Sequence, residues 1–180
     1  SDVFAGGMQD NGTSLQADSD NGFSLGNDIS GGDGAATMFS QNNNNRYVVY
    51  NYVYNNIVTV LNMNNPSNDR SYWWRIASND DNEGDFINKG ALDSNLGIIY
   101  MSADPGKVRA FHNWDDFAPG SQGTVKDTYL IENLGSSITA LTVSPFETQS
   151  STLYAGNEVG QLFKISNAQN PNNQDREEIN

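Results

Sequence analysis

The sequence predicts an all-β fold built from repeated antiparallel sheets, and three observations carry that expectation. First, an apolar pair ending in an aromatic, followed by a small-residue turn and a further apolar strand, recurs along the chain. The copies are Val3-Phe4-Ala5-Gly6-Gly7, Val48-Val49-Tyr50-Asn51, Ile98-Ile99-Tyr100-Met101-Ser102 and Thr152-Leu153-Tyr154-Ala155-Gly156. Their aromatics lie 46, 50 and 54 positions apart, and a period of that length marks a stacked or radial array of β units. Second, only 17% of residues are charged, while Asn, Gly, Ser and Asp abound; that is turn chemistry rather than helix chemistry. Third, no segment of useful length carries a 3.6-residue apolar period.

A radial array of this kind is a β-propeller, which closes with roughly four to eight blades of four strands. In 180 residues a period of about 50 leaves room for about three to four blades, an incomplete ring. The expectation is therefore a segment of a larger propeller that opens in mid-pattern, with blades over residues 1–166. Residues 167–180 read as a polar linker or the start of a next blade.

The strands follow in order. In the second repeat they are Ala36 to Ser40, Arg46 to Tyr52, Ile57 to Met63 and Ser71 to Ala77, with the run Asn42-Asn43-Asn44-Asn45 as a loop. The third repeat gives Phe86 to Leu92, Gly97 to Ser102, Val108 to Asn113 and Lys126 to Glu132. In the last, Ser137 to Ser144 alternates and stops at Pro145, as a strand running into a turn does. Leu153 to Gly156 and Gln161 to Ser166 then pair across the turn at Asn157-Glu158-Val159-Gly160.

The formal charge is −13, from 22 acidic and 9 basic residues. Such a surface repels nucleic acid and anionic membranes. There is no cysteine, which excludes disulfides and thiolate metal sites. No apolar run approaches a membrane span and no signal peptide is recognisable; a secreted form would have lost its signal or carry it upstream. An incomplete stack leaves strand edges unpaired, so the remainder of a parent chain, or edge-to-edge self-association, is an expected partner.

Several constellations invite chemistry. Asn79-x-Asp81-x-Glu83-Gly84 sets oxygen ligands at alternate positions before a glycine, as a calcium loop does, although Gly90 stands where the closing carboxylate belongs. Asp18-x-Asp20-x-Gly22 is a weaker version. A solvated acidic loop is the competing reading of both, so the cofactor expectation is none, or Ca2+. Trp73 and Trp74 offer large apolar faces to a sugar ring, but neighbouring strand positions point to opposite sides, so at least one belongs to packing between sheets. His112, beside Trp114, Asp115 and Asp116, has no defined acid–base partner and reads as a strand-end residue.

Three stretches carry a resemblance to repeat propellers of the sialidase-like BNR/Asp-box class and of the sortilin type, in their secreted bacterial forms. Phe4-Ala5-Gly6-Gly7-Met8-Gln9-Asp10-Asn11-Gly12-Thr13 looks like the DNG turn of those proteins. Gly31-Gly32-Asp33-Gly34 looks like the GGDG before the next blade's inner strand. Ala140 to Pro145 with Leu153 to Gly156 looks like a blade opening. Ser78-Asn79-Asp80-Asp81-Asn82-Glu83-Gly84-Asp85-Phe86 is similar to an Asp box but departs from its spacing. The resemblance implies that Asp10, Asn11 and Asp33, with Asp104 and Glu158 in equivalent turns, gather on one face near the mouth of a central channel. There they would meet a cation, a cationic group or sugar hydroxyls. The competing reading of Asp10-Asn11-Gly12 is a plain turn.

Sialidase activity is rejected. None of Arg46, Arg70, Arg75, Arg109 and Arg176 has the family's Arg-Ile-Pro context, and the acidic balance disfavours an anionic substrate. The leading expectation is a non-catalytic segment of a secreted or cell-surface protein that binds carbohydrate or protein, or serves as an adhesin scaffold. The alternative is part of a propeller glycoside hydrolase acting on a neutral polysaccharide, with Asp10 and Asp33 as the carboxylate pair. A third reading has this section merely building the ring.

Overall fold

The computed structural model describes residues 3–16, 27–41, 47–55, 58–62, 73–77, 83–113, 122–124 and 128–179. All regular structure among them is β, in four sheets. The first sheet is β1 (Phe4–Met8), β2 (Gly12–Gln16) and β3 (Asn27–Ser30). The second is β4 (Thr37–Phe39), β5 (Tyr47–Asn51), β6 (Val58–Asn62) and β7 (Trp73–Ala77), with β11 (Gln122–Thr124) on the outer side of β7. The third is β8 (Gly90–Asp93), β9 (Ile98–Ser102), β10 (Val108–Phe111) and β12 (Thr128–Ile131). The fourth is β13 (Ile138–Val143), β14 (Leu153–Asn157), β15 (Leu162–Ser166) and β16 (Asp175–Ile179).

Each sheet is an antiparallel meander in chain order, with one exception. The chain leaves the third sheet after β10 and adds β11 in parallel to β7, pairing Gln122 with Arg75 and Thr124 with Ala77, before returning as β12. No periodicity announces so short a strand, and a parallel pair needs a long excursion. The tail is the second departure from expectation. Asp175–Ile179 is neither a linker nor the start of a further unit; it pairs along β15 as the fourth strand of the fourth sheet. Its side chains are all exposed, so a charged sequence suits an outer strand held mainly by backbone bonds.

The sheets stack face on face through three apolar layers. Leu15 meets Val48 and Tyr50 between the first and second sheets. Tyr47 and Val49 meet Ile99, Met101 and Phe111 between the second and third. The third layer is the largest: Ile98, Tyr100, Val108, Ala110 and Ile131 pack on Leu153, Ala155, Phe163 and Ile165. Strand alternation explains the division, since successive residues of β5 and β9 serve opposite layers. Both strands are therefore buried along their whole length, while β1 and β14 alternate. The four repeated aromatics do not share a face. Tyr50 enters the first layer and Tyr100 the third, whereas Phe4 is 59% exposed and Tyr154 lies on the opposite face of β14 from Leu153 and Ala155. The spacing counts sheets but slips register by single residues, and each slip turns a side chain over.

Candidate functional site

A four-stranded meander puts its second-to-third turn at the same end as the link that enters its first strand and the link that leaves its fourth. Here those turns and links are hydrogen-bonded to one another, sheet after sheet, and form one polar face. At the opposite end, Gln41 N–H donates to Ser94 Oγ and Asn95 Nδ2 to the Glu147 carbonyl, which ties the second, third and fourth sheets together.

The first clasp is made of backbone. The β1–β2 turn holds Asp10 at φ 64°, and the link before β4 folds onto it. Gly12 N–H donates to the Gly32 carbonyl, Gly34 N–H to the Met8 carbonyl at 2.9 Å, and Asp10 N–H to Asp33 Oδ1 at 2.8 Å. The two chains touch so closely that a Cβ on Gly34 would stand 2.1 Å from the Gly12 carbonyl oxygen. The pairing of DNG with GGDG thus has a steric basis, because only glycine lets these backbones meet. The structure brings Asp10 and Asp33 together, and the bond that joins them uses the Asp33 carboxylate as acceptor for an amide. Asp10 and Asn11 are exposed, and Asp33 is half-buried.

The second clasp is a buried polar network. Asn55, in the β5–β6 connection, donates its N–H to the Glu83 carbonyl at 2.8 Å. Its Nδ2 donates to Glu83 Oε2 at 2.9 Å and to the Ser102 carbonyl at 3.0 Å, and its Oδ1 accepts from Asn88 Nδ2 at 2.6 Å. Glu83 is 3% exposed and faces the Arg109 guanidinium in a forked ion pair, with Nε at 3.0 Å from Oε2 and Nη2 at 2.5 Å from Oε1. Arg109 Nη1 reaches Thr128 Oγ1 at 3.3 Å. A planar guanidinium suits this double contact. Of the proposed calcium ligands, Asn79 and Asp81 lie outside the described residues, as do Asp18 and Asp20 of the weaker loop. Glu83 has both oxygens engaged by Arg109 and Asn55, so a cation there would compete with a guanidinium.

The third clasp joins the β9–β10 turn to the link before β13. Gly106 N–H donates to the Ser136 carbonyl and Leu134 N–H to the Gly106 carbonyl, both at 2.9 Å. The fourth sheet's β14–β15 turn meets the same link. Glu158 N–H donates to the Ser137 carbonyl at 2.9 Å, Ser136 Oγ donates to Glu158 Oε1, and Asn157 Nδ2 donates to the Leu134 carbonyl at 2.9 Å. Asn157 Oδ1 in turn accepts the amides of Val159 and Gln161, which sets the turn. Asp104 is exposed at the tip of its turn. Asp33 and Glu158 are thus each bonded within a clasp, and among the described residues no three His, Asp or Glu side chains converge into a metal-holding group.

Asn51, Ser102 and Asn157, all buried, close β5, β9 and β14, and each bonds backbone near a link. Sequence reading passed over them. The available signal was a short polar residue at the end of an otherwise apolar strand, repeated in three sheets.

Trp73 and Trp74 sit in β7 opposite Leu61 and Val60, in a strand hydrogen-bonded on both sides. The His112 ring packs on Tyr129 with centroids 5.0 Å apart; Trp114, Asp115 and Asp116 lie outside the described residues. Where the third and fourth sheets meet, burial pushes the Tyr100 hydroxyl up to about 12. The Ser151 and Tyr129 hydroxyls act against that rise, and the Asp93 carboxylate adds to it. Compared with protein-family models and with curated proteins, the chain matches none.

Proposed function

We propose that the four sheets are consecutive blades of an incomplete β-propeller of the sialidase-like BNR or sortilin-like kind. We read them as a non-catalytic binding segment of a secreted or cell-surface protein whose ligand is a carbohydrate or protein. What supports the ring is the stacking of successive meanders through their first strands, with β4 beside β8 and β8 beside β13. β1 is hydrogen-bonded on one side only among the described residues, an edge that suits another strand of the parent protein or of a second copy.

The observation that carries the binding reading is the clasp face. Its turns present Asp10, Asn11 and Asp104 to solvent, while the carboxylates of Asp33 and Glu158 are hydrogen-bonded inside the clasps. That is a rigid polar surface suited to sugar hydroxyls or a cationic group. The glycoside hydrolase reading draws on the same neighbourhood, since the first clasp brings Asp10 to Asp33.

A panel of neutral glycans separates the two. Binding without release of reducing ends, weakened at least tenfold in Asp10→Asn, is the expected result. Turnover that disappears in Asp10→Asn and Asp33→Asn would make the chain a hydrolase. A panel with neither binding nor turnover would leave it a scaffold. A melting temperature that falls with chelator would restore the calcium loop.

A further inference from the structure

A second polar site lies between the third and fourth sheets, and nothing in the reading above uses it. On β9, Tyr100 is flanked by Ala91 of β8 and Ala110 of β10, and Ala110 in turn faces Tyr129 of β12. Asp93 stands two positions from Ala91, on the same face and diagonal to Tyr100. The fourth sheet closes this row through its loops. Tyr129 Oη donates to the Ala168 carbonyl, and Ala168 N–H donates to the Ser151 carbonyl at 2.8 Å, which holds Ser151 against the row.

Asp93, Tyr100 and Ser151 are at most 2% exposed. Asp93 Oδ1 accepts the amides of Asn95 and Leu96, at 3.0 and 3.1 Å. Its other oxygen, Oδ2, has no hydrogen-bond partner within the protein. Tyr100 Oη has the Ser151 and Tyr129 hydroxyls as neighbours and feels the Asp93 charge, but neither it nor Ser151 Oγ makes a hydrogen bond of good geometry. Buried polar atoms are almost always paired, because desolvation otherwise goes uncompensated. Three such atoms beside two alanines, the smallest side chains of this face, call for a polar partner rather than an apolar one.

We infer that Asp93, Tyr100 and Ser151 together hold one internal water molecule that bridges the third and fourth sheets. The donor count closes. The carboxylate only accepts, so the water donates to Asp93 Oδ2 and to one hydroxyl oxygen, and it accepts from the other hydroxyl. About three hydrogen bonds is the usual complement of a buried water.

A crystal structure that resolves ordered solvent tests this directly. One solvent peak about 2.7–3.0 Å from all three oxygens is expected. No solvent peak there, a direct hydrogen bond between any two of Asp93, Tyr100 and Ser151, or a peak with cation distances of about 2.3–2.6 Å would overturn the inference. Oxygen-17 relaxation dispersion of the intact chain gives a solution readout. The long-lived water signal should fall by one molecule in Tyr100→Phe, a change that preserves the ring's packing. A signal equal to wild type would sink the proposal.

Discussion

The first clasp and the later ones do the same work with different chemistry. Between the first and second sheets the turn and link are pressed together by glycine backbone, over a layer whose buried members are Leu15, Val48 and Tyr50. The later joins add buried side chains: the Glu83–Arg109 pair, Asn55, Asn88 and Ser102 between the second and third sheets, and Asn157 beside backbone bonds between the third and fourth, over the largest apolar layer. Backbone clasps tolerate few substitutions but bury no charge. Side-chain clasps seal a wider join and make it depend on every partner being present.

The largest effect should come from breaking the second clasp. Arg109→Ala leaves the Glu83 carboxylate buried and unpaired, and should cost about 3–5 kcal/mol in urea unfolding. Glu83→Gln combined with Arg109→Met should recover most of that. A single-variant cost below about 1 kcal/mol would place this join among the weak surface pairs and erase the contrast.

The later joins also carry an alkaline signature. The folded Tyr100 pKa, about 12, lies above the ordinary 10.0, so the folded chain keeps that proton while the unfolded chain loses it. Stability present below pH 10 should fall as pH rises toward 12, by up to about 3 kcal/mol from this group. Tyr100→Phe should flatten that part of the pH–stability curve, and an unchanged slope would show that other groups govern it.

At the first clasp, Gly34→Ala should cost about 1–3 kcal/mol, because the new methyl meets backbone that cannot rotate away. Full stability would mean that the two chains separate readily. Asp33→Ala removes the acceptor of the exposed Asp10 amide and should cost about 0.5–1.5 kcal/mol, the smallest change of the set. A loss as large as that of Arg109→Ala would make the first clasp as dependent on side chains as the second.

The strands with clear apolar runs were legible to within a few residues: β5, β9, β10, β14 and β15 fall where the sequence places them. β11 and β16 were not, because three residues of Gln-Gly-Thr and five of mostly charged residues are strands only by virtue of the neighbour they pair with. Of the candidate site, Asp10 and Asp33 were legible as neighbours only through the propeller resemblance that their glycine turns carry. The Glu83–Arg109 pair was not, since 26 residues and two strands separate its members.

Local chemistry alone settled that the chain is β, that it forms three to four repeated sheets and which turns carry glycine, because period, turn residues and apolar runs act over a few residues. Tertiary packing decided which face each aromatic serves, which sheet takes β11 and what Glu83 is for. Those outcomes turn on single-residue register and on partners distant in the chain, where a shift of one position sends a side chain to the opposite layer.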